Sequence, residues 1–254
     1  MACIQRGWDP AQTAGRLHDD PVWKDLPTVV CAETIYHWIY TSAFALAEKL
    51  YQYLRYGKKK RTRHTGRSAH RSKIPNRVSI HERPAIVAER SRLGDWEGDS
   101  VLYTHLHAIK TLNERMSSLV AFTKLTQKTA ALTAEAVIRK LQPLVAHTIT
   151  FDNGTEFTHH ERITAVLGIP VYFADPYSYW QRGANENSNR QLRAYLPKRS
   201  DIRSLTQKEL DNIAEEMNNK PRKRLLWHTP QEVYDFLVQH PTKTIRLKAS
   251  CVWF

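Results

Sequence analysis

From about residue 91 to 240, short β-branched and aromatic runs alternate with longer stretches of helical periodicity. GDWEGDSVLY, HAIKTLNERM and SSLVAFTKL read as three consecutive strands separated by turn-compatible polar residues. Ala130, Ala134, Val137, Ile138 and Leu141 then fall at helical spacings within a segment that Pro143 stops. His147–Phe151 predicts a fourth strand, and Glu156–Leu167 a helix with Gly168 as its C-cap. Pro170–Ala174 predicts a fifth strand, followed by a polar helix over Ala184–Leu196 that Pro197 ends. The order β-β-β-α-β-α-β-α implies an α/β fold: a mixed five-stranded sheet with flanking helices. Strands one and four can be neighbours there, which lets Asp99 approach Asp152 despite a separation of 53 positions (152 − 99).

The first 50 residues carry a different pattern. Asp9-Pro10-Ala11-Gln12 is a helix start, with Asp9 as cap, Pro10 at the first helical position and Gln12 three residues after the cap. Ile35, Trp38 and Ile39 give a second helix an i, i+3, i+4 apolar face opposite Glu33, Tyr36, His37 and Tyr40. Two such helices predict a small helix-turn-helix-like module over residues 1–50, and a plain helical bundle fits the same pattern. Between Lys49 and His81 the chain carries no acid. That like-charge block predicts a basic arm over 51–90, in which Lys58, Lys59, Lys60, Arg61 and Arg63 would meet phosphate. Residues 91–240 form the expected main domain and 241–254 a tail.

Composition adds a partner class. The 254-residue chain has a formal net charge of +13 and a pI near 9.7, which favours a polyanion, and double-stranded DNA before a membrane. No apolar run approaches 18 residues, so no membrane-spanning segment is expected. Cys3, Cys31 and Cys251 are scattered and form no C-x-x-C pair, so a reducing, cytoplasmic setting associated with DNA is the simpler expectation. His105, His107, His159 and His160 lack a third convincing ligand for zinc, and surface positions account for them.

Three carboxylates stand out as candidate chemistry: Asp99 in the first strand, Asp152 at the end of the fourth and Glu186 at the start of the polar helix. Acids are rarely buried unless paired or bound to metal. Convergence of the three would hold Mg2+ or Mn2+, two ions in the arrangement that activates an attacking oxygen and stabilises a leaving one. Capping and turn roles compete with this reading, since Asp152-Asn153-Gly154 is also a turn signal. Glu97 shares a strand face with Asp99, and spacing alone does not choose between them. Arg190 and Arg193 follow Glu186 on a polar helix face that can meet phosphate.

The stretches GDWEGDSV, TLNERMSSLVAF, TFDNGTEF, YFADPYSYWQRGANENSNRQLRAYLPKRSDI and WHTPQEVYDFL resemble the IS30 family of insertion-sequence transposases, within the DDE transposases and retroviral-type integrases. With ETIYHWIY, the resemblance spans about Trp8 to Leu237. It implies an RNase H-like core and assigns Asp99, Asp152 and Glu186 as catalytic, metal-holding acids, choosing Asp99 over Glu97. The 33 residues between the last two acids (186 − 152 − 1) match the family spacing. The implied activity is metal-dependent hydrolysis at transposon ends followed by strand transfer into target DNA. The implied partners are terminal inverted repeats, target DNA and a dimer or higher assembly on bacterial DNA. Family members generally carry a further helix-turn-helix segment before ETIY, so a truncated, catalytically inactive DNA-binding regulator of transposition is the alternative expectation.

Overall fold

Apolar residues at helical spacing gather the amino-terminal segment into one small core. This is a computed structural model of the 254-residue chain, describing residues 1–19, 30–48, 50–53, 74–175, 178, 181 and 183–241. The chain divides into two compact units, the smaller joining the amino-terminal segment to Lys220–Pro230. Its helices are α1 (Ala2–Gln5), α2 (Pro10–Asp19), α3 (Ala32–Thr41) and α4 (Ala43–Ala47). Ile4, Ala14, Ile35, Ile39, Ala45 and Leu50 are buried together.

The start of α2 closes as its sequence predicts. Gln12 N–H donates to Asp9 Oδ1 at 2.8 Å and Asp9 N–H to Gln12 Oε1 at 2.9 Å, a reciprocal cap. Gln12 Nε2 also donates to the Pro221 carbonyl at 2.9 Å. One turn on, a Cβ at Gly15 would come within 2.0 Å of the Trp227 ring, so only glycine permits this approach. Along α3, Ile35 and Ile39 are buried as expected, whereas Trp38 is 37% exposed and lies 6.5 Å from the Phe44 ring. The expected apolar stripe is thus narrower by one aromatic. Lys58, Lys59, Lys60, Arg61 and Arg63 lie outside the described residues.

The larger unit begins with a short helix, α5 (Ala85–Glu89), and then builds the sheet from β1 (Asp95–Leu102), β2 (Ala108–Glu114) and β3 (Val120–Leu125). Helix α6 (Ala130–Leu141) leads to β4 (Thr148–Phe151), and α7 (His160–Leu167) to β5 (Val171–Phe173). Then follow α8 (Gly183–Tyr195), α9 (Gln207–Asn218) and α10 (Pro230–Gln239), which begins at the junction of the two units. Strand order is β3-β2-β1-β4-β5, antiparallel across β3, β2 and β1 and parallel across β1, β4 and β5. This is the mixed, helix-flanked five-stranded sheet that the order of elements implies.

Strand alternation sorts the side chains onto two faces. On one face Trp96, Leu112, Ile149, Phe151 and Phe173 pack with Val137 and Leu141 of α6 and Ile163 of α7. Fully burying each large apolar side chain contributes about 1.5–3 kcal/mol relative to exposure. On the other, Val101, Ile109, Val120 and Phe122 pack with Leu192 of α8 and Leu210, Ala214 and Met217 of α9. Gly168 ends α7 with φ 68°, the left-handed C-cap expected of it.

Candidate functional site

The acids of β1 share the face covered by α8, and they have different surroundings. Asp95 is fully buried, held by Arg92 through two contacts of 2.9 Å and by the Thr148 hydroxyl at 2.7 Å. Glu97 is also fully buried and accepts from Arg115 Nη1, while Arg115 Nε donates to the Val87 carbonyl at 3.0 Å. Asp99 alone of the three is half-buried. Glu97 and Asp99 thus differ in surroundings: Glu97 is bound into a buried ion pair with a residue 18 positions away, and Asp99 meets Asn189 of the helix that covers this face.

Register brings the second acid alongside. The parallel pairing of β1 with β4 runs from Asp95↔Thr148 to Glu97↔Thr150. Carried two positions further at the same offset of 53, it sets Asp99 level with Asp152, beyond the last paired residues. Asp152 Oδ1 accepts from the Gly154 N–H at 3.0 Å, and Asn153 Nδ2 donates to the Ala174 carbonyl at 2.7 Å, tying the turn to the end of β5. Gly154 has φ −67°, which any residue adopts, so backbone freedom is not its role. A Cβ there would meet the buried Glu156 carboxylate at 2.3 Å, and that carboxylate pairs with Lys128 at 2.7 Å.

Helix α8 buries a stripe at core spacing made mostly of polar residues: Asn185, Ser188, Asn189 and Leu192, at i, i+3, i+4 and i+7. Asn189 Nδ2 donates to Asp99 Oδ2 at 2.7 Å and its Oδ1 accepts from the Thr111 hydroxyl at 3.0 Å. Asn113 Nδ2 donates to Ser188 Oγ at 2.5 Å. Asn185 is 2% exposed, and among the described residues neither polar atom of its side chain has a hydrogen-bond partner. Such an orphan commonly marks a water or ligand position. Glu186 is exposed, one residue off the stripe. The approach to α8 is closed by Asp175 and Gln181, which exchange bonds of 2.8 and 2.9 Å. Gln181 and then His81 hold the Asp175 carboxyl below its ordinary value.

The expectation of two Mg2+ or Mn2+ ions is corrected here. Among the described residues no group of three or more His, Cys, Asp or Glu could hold a metal ion. Both Asp99 oxygens accept hydrogen bonds, one from Asn189 and the other from the Ser100 N–H at 2.8 Å. Asp152 turns one oxygen to its own loop, and Glu186 faces outward. The donor set does not fit a divalent cation.

Arg190 and Arg193 are exposed on α8, Arg190 donating to Asn187 Oδ1 at 2.9 Å. The residues that sequence reasoning passed over are Thr111, Asn113, Arg115, Ser188 and Asn189. Ser188 and Asn189 follow Asn185 at helical spacing, a signal that their polarity disguised. His160 is buried, with its Nε2 2.8 Å from the Pro75 carbonyl and its ring edge-on to Phe173, so it is no surface histidine. No helix among the described residues is long and apolar enough to cross a membrane.

No protein-family model matches the chain. Over 239 residues it is 39% identical to the transposase for insertion sequence element IS4351 of Bacteroides fragilis, which covers 92% of this chain and 71% of that protein. It is 39% identical over 245 residues to the transposase for insertion sequence element IS1086 of Cupriavidus metallidurans, covering 94% and 72%. To transposase InsI for insertion sequence element IS30A of Escherichia coli the identity is 37%, over 91% of this chain and 62% of that protein. The catalytic core domain of BIV integrase is similar at a TM-score of 0.47 and 24% identity, over 59% of this chain and 98% of that one. With relatives this similar along nearly its whole length, the chain belongs to the IS30 family of insertion-sequence transposases.

Proposed function

We propose that this chain is a DNA-binding regulator of transposition, engaging transposon-end and target duplexes without itself carrying out metal-supported strand chemistry. One observation carries this reading: Asp99, Asp152 and Glu186 form no metal-holding group, because Asp99 is engaged by Asn189 and Ser100 and Glu186 points to solvent. The net charge of +13 supports the DNA partner. Lys58, Lys59, Lys60, Arg61, Arg63, Arg190 and Arg193 are the proposed phosphate contacts, and Asp99, Asp152 and Glu186 mark the face turned to DNA. Assembly as a dimer or higher on two ends belongs to the same proposal.

A second reading, phosphodiester cleavage and strand transfer at Asp99, Asp152 and Glu186, is supported by the β1–β4 offset, which carried past its last pair would bring Asp99 level with Asp152. The test pairs a labelled terminal-repeat duplex with an unlabelled target plasmid and scores binding, cleavage and joining separately. The expected outcome is duplex binding with no product, whether chelator or divalent cation is added. Product that disappears in Asp152→Ala would overturn the regulator reading in favour of the second.

A further inference from the structure

Away from the acids, a cavity of about 280 Å3 opens between the end of β1 and the end of α8. Leu102, Tyr103, Thr104, Arg193, Lys198 and Arg199 line it, three cations and no carboxylate. Two hydrogen bonds of 3.1 Å build its wall: Tyr103 Oη donates to the Leu196 carbonyl, and Thr104 Oγ1 to the Ser200 carbonyl. The turn bearing Lys198 and Arg199 is thereby fastened to the strand end. Arg199 has φ 69°, a left-handed conformation that a non-glycine residue keeps only when its surroundings impose it.

Among the described residues no carboxylate lines this cavity. Asp201, the nearest carboxylate along the chain, is taken by Arg203, with contacts of 2.7 and 2.9 Å. Burial pushes the Tyr103 hydroxyl up to about 12, so it stays neutral at physiological pH even with Arg193 drawing it down. An oxyanion would thus meet guanidinium and ammonium donors, the groups best suited to phosphate.

We propose that this cavity binds a backbone phosphate of a DNA strand, held by Arg193, Lys198 and Arg199. The proposal rests on the DNA-binding reading above and extends its Arg193 contact to a cavity shared with Lys198 and Arg199. Arg193 lies seven residues after Glu186, about 10 Å along the helix at 1.5 Å per residue. Leu102 lies three residues after Asp99, about 10 Å along the strand at 3.3 Å per residue. Each acid therefore lies about 10 Å from the cavity along its own element.

The test uses the full chain and a fluorescein-labelled duplex, with anisotropy read across a salt series. Lys198→Gln/Arg199→Gln is compared with Arg139→Gln/Lys208→Gln, which removes the same charge from exposed sites on α6 and α9. The cavity pair is expected to weaken binding about tenfold and to lower the salt slope by about 0.9, the value for one phosphate. The control pair is expected to weaken it less than twofold. Arg199→Gly removes the charge while suiting the left-handed backbone, so it serves if the double variant does not fold. Wild-type protein that binds no duplex would sink the DNA-binding reading itself. Wild-type binding with equal losses in the cavity and control pairs would sink the cavity alone. Inorganic phosphate at matched ionic strength separates a free anion from a strand phosphate. Inorganic phosphate that binds the wild type at low millimolar concentration and not the cavity variant, while leaving the duplex anisotropy unchanged, would overturn the strand assignment.

Discussion

Glu97 and Asp99 stand two residues apart on one strand face, yet one is structural and the other faces α8. The difference lies in Arg115, and it sets an experiment. Arg115→Met leaves a carboxylate buried without its partner and should lower stability by about 3–5 kcal/mol in urea unfolding, with Glu97→Leu/Arg115→Met recovering most of the loss. Asn189→Ala removes the donor to Asp99 and the acceptor for Thr111, and should cost about 1–3 kcal/mol by the same measurement. Glu114 titrates in the opposite sense to a salt-bridged acid. Burial raises its carboxyl above the ordinary 4.5, partly countered by the Ser117, Met116 and Gly94 donors. The folded state then holds a proton that the unfolded state has released. Its contribution is full below about pH 4.5 and is lost as pH rises through the raised folded value. Stability measured against pH should show this falling limb in the wild type and lack it in Glu114→Gln. Little of this was legible in the sequence, because Arg115 and Asn189 reveal their partners only once β1, β2 and α8 are assembled.

Elements were far more legible than pairings. Period-two and period-3.6 patterns located all five strands and the helices between them, since a face buried against a neighbour must be apolar at that period. Helix α9 is absent from the expected elements although its signals are plain. Leu210, Ile213, Ala214 and Met217 fall at i, i+3, i+4 and i+7, and Thr206 and Glu209 form a capping box. The polar helix α8 is the reverse case: its element was expected, but its buried stripe of Asn185, Ser188 and Asn189 runs against the rule that core positions are apolar. At the middle of β1, Gly98 lets the Phe151 ring and Lys110 Nζ close over the strand, where an added Cβ would come within 2.3 Å of the ring. Gly98→Val should destabilise by about 1–3 kcal/mol through overpacking, read as a drop in the thermal midpoint.

At the scale of the whole molecule, charge decides what the protein meets and connectivity decides how it is made. Replacing Lys58, Lys59, Lys60 and Arg61 with alanine should weaken random and terminal-repeat duplexes together and flatten the salt dependence of both. Unchanged slopes in an anisotropy titration would reject the basic arm as a phosphate contact. The smaller unit draws on two distant parts of the chain, for Gly15 of α2 packs on Trp227. During translation that ring follows the glycine by 212 residues (227 − 15). At 5–20 residues per second the delay is roughly 10–40 s. The whole sheet therefore leaves the ribosome before the amino-terminal helices receive their last packing partner. Nascent chains stalled at Asn219 should be cut by protease within α2, and the released full chain should resist.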